Sequence, residues 1–253
     1  VVFGIIYSFG IFLEPIAATV NITAQDAKFR LEQGRVVEFQ VNRDGLAVAV
    51  AATIAKLTDE YLGQRHREVA VVVAVAPAKV AAGDLNTLGI QELLGVGRSS
   101  FAGSPKNRRH NIKVGVDTLN GILIAPEEEF SLLKAIGTVD AAAGYLPELV
   151  IKGDRTTPEY GGGLCQIGTT TFRAALQSGL PITQRQNHSF RVRYYDPPGM
   201  DATIYDPAPD FRFTNDTGRH ILFLAEIAGD ELLFSFYGTR DGLPGGQITC
   251  MLQ

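Results

Sequence analysis

The sequence predicts an α+β protein, with a small N-terminal α+β domain followed by a helix-plus-antiparallel-sheet domain. Two observations carry this. In the second half, segments with apolar residues at helical spacing come first, and segments alternating with period two follow. The later segments are joined by short turns at Pro197-Pro198-Gly199, residues 215–218 and Gly229-Asp230. Helices first and a strand run afterwards is the order of an α+β fold. A third observation sets the domains. The Gly/Ser/Pro-rich stretch GRSSFAGSPK, residues 97–106, separates two apolar sets and reads as a linker. The expected division is a domain over residues 1–96, a linker over 97–106, a domain over 107–240 and a tail over 241–253.

The elements follow in order. Residues 1–13 carry no charge but fall short of the roughly 20 residues that cross a bilayer. They read either as the remnant of a membrane anchor or as the edge of a domain whose beginning is missing. The helical spacing of Phe12, Leu13, Ile16 and Val20 favours the second reading. Residues 27–41 alternate around Gln33-Gly34 and predict a hairpin. The Ala-rich residues 46–57 predict a short helix, the β-branched run 68–76 a buried strand, and residues 84–94 another short helix. In the second domain, Ile112, Val116 and Leu119 share one face of a helix over 107–120. Residues 130–136 predict a short helix, 147–163 a loop-rich stretch, and 165–178 a helix stopped by Gly179 and Pro181. Strands are expected at 188–195, 201–205, 210–213, 219–225 and 231–237.

Composition narrows the function. The 253 residues carry 23 basic and 27 acidic side chains, a net charge of −4, without the basic excess that nucleic-acid binding needs. No nucleic-acid partner is expected. Cys165 and Cys250 are the two cysteines, and with four histidines and no HExxH or CxxC they suggest neither a metal site nor a disulfide framework. No cofactor is expected.

The sharpest local feature is Gly161-Gly162-Gly163-Leu164-Cys165-Gln166. Glycines permit positive φ and close backbone approach. A thiol at a helix start feels the positive end of the dipole, which favours the thiolate. Backbone amides from Gly163 to Gln166 offer an oxyanion site. A glycine-rich turn before a small buried cysteine accounts for the same residues. Downstream, a strand over 188–195 would put His188 on an inward face with Phe190, Val192 and Tyr194, opposite Arg191 and Arg193. Asp201 would begin the neighbouring strand beside it. Helix-start Cys, strand His, next-strand Asp is the order of papain-like and transglutaminase-like thiol enzymes, in which the acid orients a histidine base. A core histidine bonded to backbone and a strand-start aspartate stand as the structural alternatives. Lys106, Arg108, Arg109, His110 and Lys113 form a basic cluster at a helix start, read either as a solvated face or as a site for carboxylates or phosphates. Glu127, Glu128 and Glu129 read as a wet helix entry, and Asp206 and Asp210 as turn formers.

The segments GGGLCQIGTTTFRAALQSGLPI and QRQNHSFRVRYYDPPGMDATIYDPAPDFRFTNDT, with SPKNRRHNIKVGVDTLNGILIAPEEEF upstream, resemble the VanW family over roughly residues 98–225. Residues 21–95 resemble a peptidoglycan-binding domain often found before VanW domains. The resemblance implies a bacterial, extracytoplasmic envelope protein, commonly membrane-anchored, associated with glycopeptide-resistance clusters, with peptidoglycan or its peptide stems as partner. Membrane contact is expected only through a missing N-terminal anchor. Motif positions carry over to Gly161, Gly162, Gly163, Cys165, Gln166, Thr169, His188, Ser189, Asp201, Asn215 and Thr217, and upstream to Asn107, Arg108, Asn111 and Glu128. Gln186 stands where the family often has a second histidine, which leaves His188 as the general base. Glu127 replaces a common glycine. Two functions follow as expectations. One is a Cys165-His188-Asp201 thiol site for hydrolysis or transpeptidation, with Gly161, Gly162, Gly163, Gln166, Asn107, Arg108 and Asn111 as oxyanion or ligand-binding residues. The other is a non-catalytic peptidoglycan-binding module.

Overall fold

The computed structural model describes residues 21–63, 70–85, 87–152 and 155–240. The expectations for residues 1–13 and for Cys250 lie outside them. The described residues form two compact units, one of residues 21–29 with 38–85 and one of residues 30–37 with those from 87 onward.

The alternation around Gln33-Gly34 gives the expected hairpin of β1 (Lys28–Glu32) and β2 (Arg35–Gln40), with both turn residues at positive φ. The first unit holds β3 (Gly45–Val48), α1 (Val50–Leu57), β4 (Val73–Ala76) and α2 (Ala82–Leu85). The helix expected over 46–57 is therefore a strand and then a helix. Gly45 explains the switch. A Cβ there would meet the Ile22 carbonyl oxygen at 2.2 Å, so glycine lets β3 pair closely with that segment. β4 is not the buried strand expected from its apolar run. It pairs with β3 as a two-stranded ribbon, and Val73 and Val75 are 46% and 63% exposed. Side-chain oxygens of Asp26, Asn42 and Asp44 accept backbone N–H groups of the segment 78–82 and brace the unit.

The second unit is built on an antiparallel sheet ordered β5-β13-β12-β6, of β5 (Glu92–Ser100), β13 (Glu231–Gly238), β12 (Ile221–Ala228) and β6 (Ile122–Ile124). Two long helices lie in this unit, α3 (Lys106–Leu119) and α5 (Leu164–Ser178), both close to their expected bounds. Between them in sequence come β7 (Glu129–Ser131), α4 (Leu132–Ile136), β8 (Pro147–Lys152) and β9 (Arg155–Tyr160). The stretch expected to be loop-rich is thus largely the hairpin β8-β9. β10 (Ile182–Gln184), β11 (Arg212–Thr214) and β7 make a second small sheet. The core between helices and sheet is aromatic, with Phe211, Phe213, Phe223, Phe234 and Phe236 fully buried beside Ile112, Leu119 and Ile167.

Residues 92–94 are not helical and residues 97–100 are not a linker. All belong to β5, which pairs with β13 from Glu92 to Ser100. The glycines that suggested flexibility serve close packing. A Cβ on Gly97 would stand 2.0 Å from the Thr170 carbonyl oxygen, and one on Gly95 would stand 2.5 Å from Ser178 Oγ, so β5 lies directly on α5. Asp210 is more than a turn former. It is 2% exposed and accepts from Ser131 Oγ, the Leu133 and Phe211 amides and Arg212 Nε. Asn215 is fully buried and gives its amide to the carbonyls of Ile124, Ala125 and Arg219.

Gly97→Ala forces a methyl into helix backbone, which cannot retreat as a flexible side chain would. It is expected to destabilise the protein by about 1–3 kcal/mol, measured by denaturant unfolding. An unchanged midpoint would contradict this contact between β5 and α5.

Candidate functional site

The loop Gly161-Gly162-Gly163 ends β9 and turns into α5. Gly161 and Gly163 take φ of 79° and 115°, a region that disfavours side chains. A Cβ on Gly163 would lie 2.9 Å from Arg108 Cγ, so glycine also admits α3 against the turn. Asn111, fully buried on α3, donates to the carbonyls of Leu146 and Gly162 and accepts the Leu146 amide. Asn107 donates to the Pro147 carbonyl. Gln166, also fully buried, donates to Ser99 Oγ and the Ser100 carbonyl and accepts from Arg108 at 2.7 Å. The polar groups of Asn111, Gln166 and Arg108 are thus engaged inside the protein, where they fix the loop that delivers Cys165.

Cys165 is half-buried in the first turn of α5. Its Sγ lies 3.4 Å from Thr203 Oγ1 and 3.6 Å from the Ile204 carbonyl oxygen. The Leu164 and Gln166 amides donate within the turn to the carbonyls of Gly161 and Gly163. Among the described residues the Gly163 and Cys165 amides are not so taken, which leaves these two of the expected oxyanion donors.

The segment expected as the strand 188–195 is a loop that closes in a 3-10 turn at Arg193–Tyr195, and 201–205 is not a strand either. The expected parity fails with it. Phe190 and Tyr194 are 66% and 58% exposed, whereas Tyr195 is 3% exposed. The reason is local chemistry. The Asp201 carboxylate accepts the His188 backbone N–H at 2.9 Å and lies 2.5 Å from the ring Nδ1, both through Oδ2. An amide spent on a side chain is lost to a strand ladder. Backbone pairing between these segments comes down to the Thr203 amide on the Gln186 carbonyl.

His188 and Asp201 are therefore side by side, though not through neighbouring strands. An ionised carboxylate can only accept, so Nδ1 carries the proton and Nε2 is the basic atom of the ring. Burial pushes the Cys165 thiol up, but hydrogen bonding to His188 and Thr203, a backbone hydrogen bond at Ile204 and the imidazolium charge together bring it below its ordinary value. Burial pushes His188 down, and Cys165 and Asp201 together raise it above its ordinary value. Burial pushes Asp201 up, and the His188 amide, its ring and the Arg185 charge hold it below the usual carboxylate range. These directions favour the charged form of each of the three groups. A cleft of about 210 Å³ borders His188, Tyr195 and Asp201 and is lined further by Asn187, Phe190 and Arg191.

Residues not singled out from the sequence complete the site. Thr203 touches the sulfur and follows Asp201 by two residues. The Tyr195 ring packs on the His188 ring at 5.3 Å. Arg173, two turns beyond Cys165 on α5, donates to the carbonyls of Arg98, Tyr195, Asp196 and Met200. Spacing gives no signal for such arginine-to-carbonyl contacts. The basic cluster of α3 is dispersed. Arg109 pairs with Asp230, Lys113 with Asp117, and His110 Nε2 lies 2.8 Å from the Gly144 carbonyl. The acidic run is not a helix entry. Glu127 sits at positive φ, Glu128 accepts the Ala125 amide, and Glu129 pairs with Arg212. Among the described residues no group of three or more His, Cys, Asp or Glu could hold a metal ion, and no helix is long and apolar enough to cross a membrane.

Residues 107–237 match the family described as VanW like protein. The chain is 30% identical over 229 residues to the uncharacterized protein YoaR of Bacillus subtilis (strain 168), which covers 90% of this chain and 71% of that protein. It is 34% identical over 118 residues to the vancomycin B-type resistance protein VanW of Enterococcus faecalis (strain ATCC 700802 / V583), which covers 44% of this chain and 42% of that protein. No solved structure matches the chain. The family match spans more than half of the chain and includes Cys165, His188 and Asp201, so the chain belongs to the VanW family.

Proposed function

We propose that this protein is an extracytoplasmic cell-wall enzyme that transfers or hydrolyses acyl groups on peptidoglycan peptides through the Cys165 thiolate. The observation that carries the reading is the 2.5 Å contact between His188 Nδ1 and Asp201 Oδ2, together with the opposite pulls that His188 and Cys165 exert on each other, the thiol lowered and the imidazole raised. A mere core histidine has no need of an ionised partner on its ring. The wall as location and substrate class is supported by family membership and by the resistance named for the Enterococcus relative.

In this reading the Cys165 thiolate attacks an amide carbonyl, forming a C–S bond and an oxyanion held by the Cys165 amide and the helix dipole. The C–N bond breaks as the His188 imidazolium gives its proton to the leaving amine. His188 then takes a proton from water or from a second amine, whose attack breaks the thioester and restores the thiol. Water gives hydrolysis and an amine gives transpeptidation. Asp201 fixes the ring and supports its charge.

Purified wall fragments incubated with the protein and read by mass spectrometry test this. The wild type should yield cleaved or re-linked peptides and Cys165→Ala none, with His188→Ala slower by roughly 10²–10⁴-fold. Fragments that bind equally to both proteins without a product would establish the non-catalytic binding module instead. A second test reads the thiol. With Cys165 held below its ordinary pKa, thiolate persists as pH falls until that lowered value is crossed. Alkylation of Cys165 at about pH 6 should therefore outpace a free thiol of pKa near 8.5, and His188→Ala should slow it.

A further inference from the structure

We propose that Arg185 is a positioning residue of the thiol site, acting through Asp201. The inference rests on the thiol reading of that site. Arg185 follows β10 and precedes His188 by three residues. Its Nε and one terminal nitrogen both donate to the Asp201 backbone carbonyl, at 2.9 and 2.7 Å. That terminal nitrogen also donates to the Gly199 carbonyl at 2.8 Å and stands 3.7 Å from Asp201 Oδ1. The guanidinium lies 4.7 Å over the ring of Phe172, a buried residue of α5.

Each contact has a consequence for the site. The fork on one carbonyl fixes the backbone of Asp201. The stack on Phe172 ties that backbone to the helix that carries Cys165. The charge faces the carboxylate oxygen that His188 does not use. Asp201 then sits between an imidazole on Oδ2 and a guanidinium on the side of Oδ1. A carboxylate so flanked stays ionised and holds the ring without taking its proton. The other groups acting on Asp201 and His188 are Arg173, whose charge reaches Asp201, and Cys165. Arg173 is committed to carbonyls of the same loop, so Arg185 is the cation placed against the carboxylate itself. The fold gains nothing obvious from a cation over Phe172, since an apolar side chain would cover the ring as well. Its use lies in the direction it imposes on Asp201.

The test is the rate of Cys165 alkylation against pH for Arg185→Gln and Arg185→Lys, with near-ultraviolet circular dichroism reporting the fold. Loss of the anchor should raise the thiol midpoint by about one pH unit, a roughly tenfold loss of thiolate below it. Arg185→Gln should show this loss with native dichroism. Arg185→Lys keeps the charge without the fork and should recover part of it. A folded Arg185→Gln protein with the wild-type profile would overturn the proposal. If Arg185→Gln does not fold, Arg185→Lys decides, a shifted profile supporting the role and a wild-type profile refuting it. His188→Ala with wild-type alkylation would instead sink the thiol-site reading, so the two failures are distinguishable.

Discussion

One carboxylate oxygen organises this site. Asp201 Oδ2 takes both the backbone N–H and the ring Nδ1 of His188. The first contact removes the His188 amide from any sheet ladder and leaves residues 187–192 as a loop. The second sets the tautomer and leaves the other nitrogen as the basic atom of the ring. Local backbone geometry and chemical function are here two results of the same pair of hydrogen bonds. The Asp201 backbone is held as firmly as its side chain, because Thr169 on α5 both donates to and accepts from the backbone of neighbouring Ala202.

Helix α5 is the element to which the rest of the site refers. Its first turn presents Cys165, its third turn sends Arg173 into the carbonyls of the loop, and Thr169 and Phe172 engage the segment around Asp201. The helix in turn lies on β5, where Gly95 and Gly97 let two backbones approach. Asn111 and Gln166 extend this order to the glycine loop from the side of α3 and β5. Burial works against every charge in the site, raising the thiol and the carboxylate and lowering the imidazole. Against that cost the partners of each group favour its charged form, which is the condition under which buried ions are tolerated.

The legible parts of the sequence were those where one periodic pattern decides the structure. Ile112, Val116 and Leu119 marked α3, and the glycines flanking 164–178 marked α5. The alternation at 221–238 marked the hairpin of the main sheet. The order of a histidine followed by an aspartate after a turn pointed to His188 and Asp201 as neighbours, as they are. The illegible parts were governed by contacts that leave no period. Gly97 read as part of a linker because a sequence does not display the helix it must accommodate. Residues 188–195 alternate like a strand, yet one aspartate thirteen positions away overrides the pattern. Arg173 and Arg185 belong to no pattern that marks them, and their guanidinium groups serve loop carbonyls.

The central claim is that His188 and Cys165 form a coupled ion pair backed by Asp201. Titration of the His188 ring protons by nuclear magnetic resonance tests it most directly, in the wild type and in Cys165→Ala. The raised imidazole keeps its charge as pH climbs and loses it only above its ordinary midpoint of about 6.5. The account predicts a midpoint above that value in the wild type and a fall toward it when the sulfur is removed. A midpoint at or below about 6.5 that does not move in Cys165→Ala would contradict it.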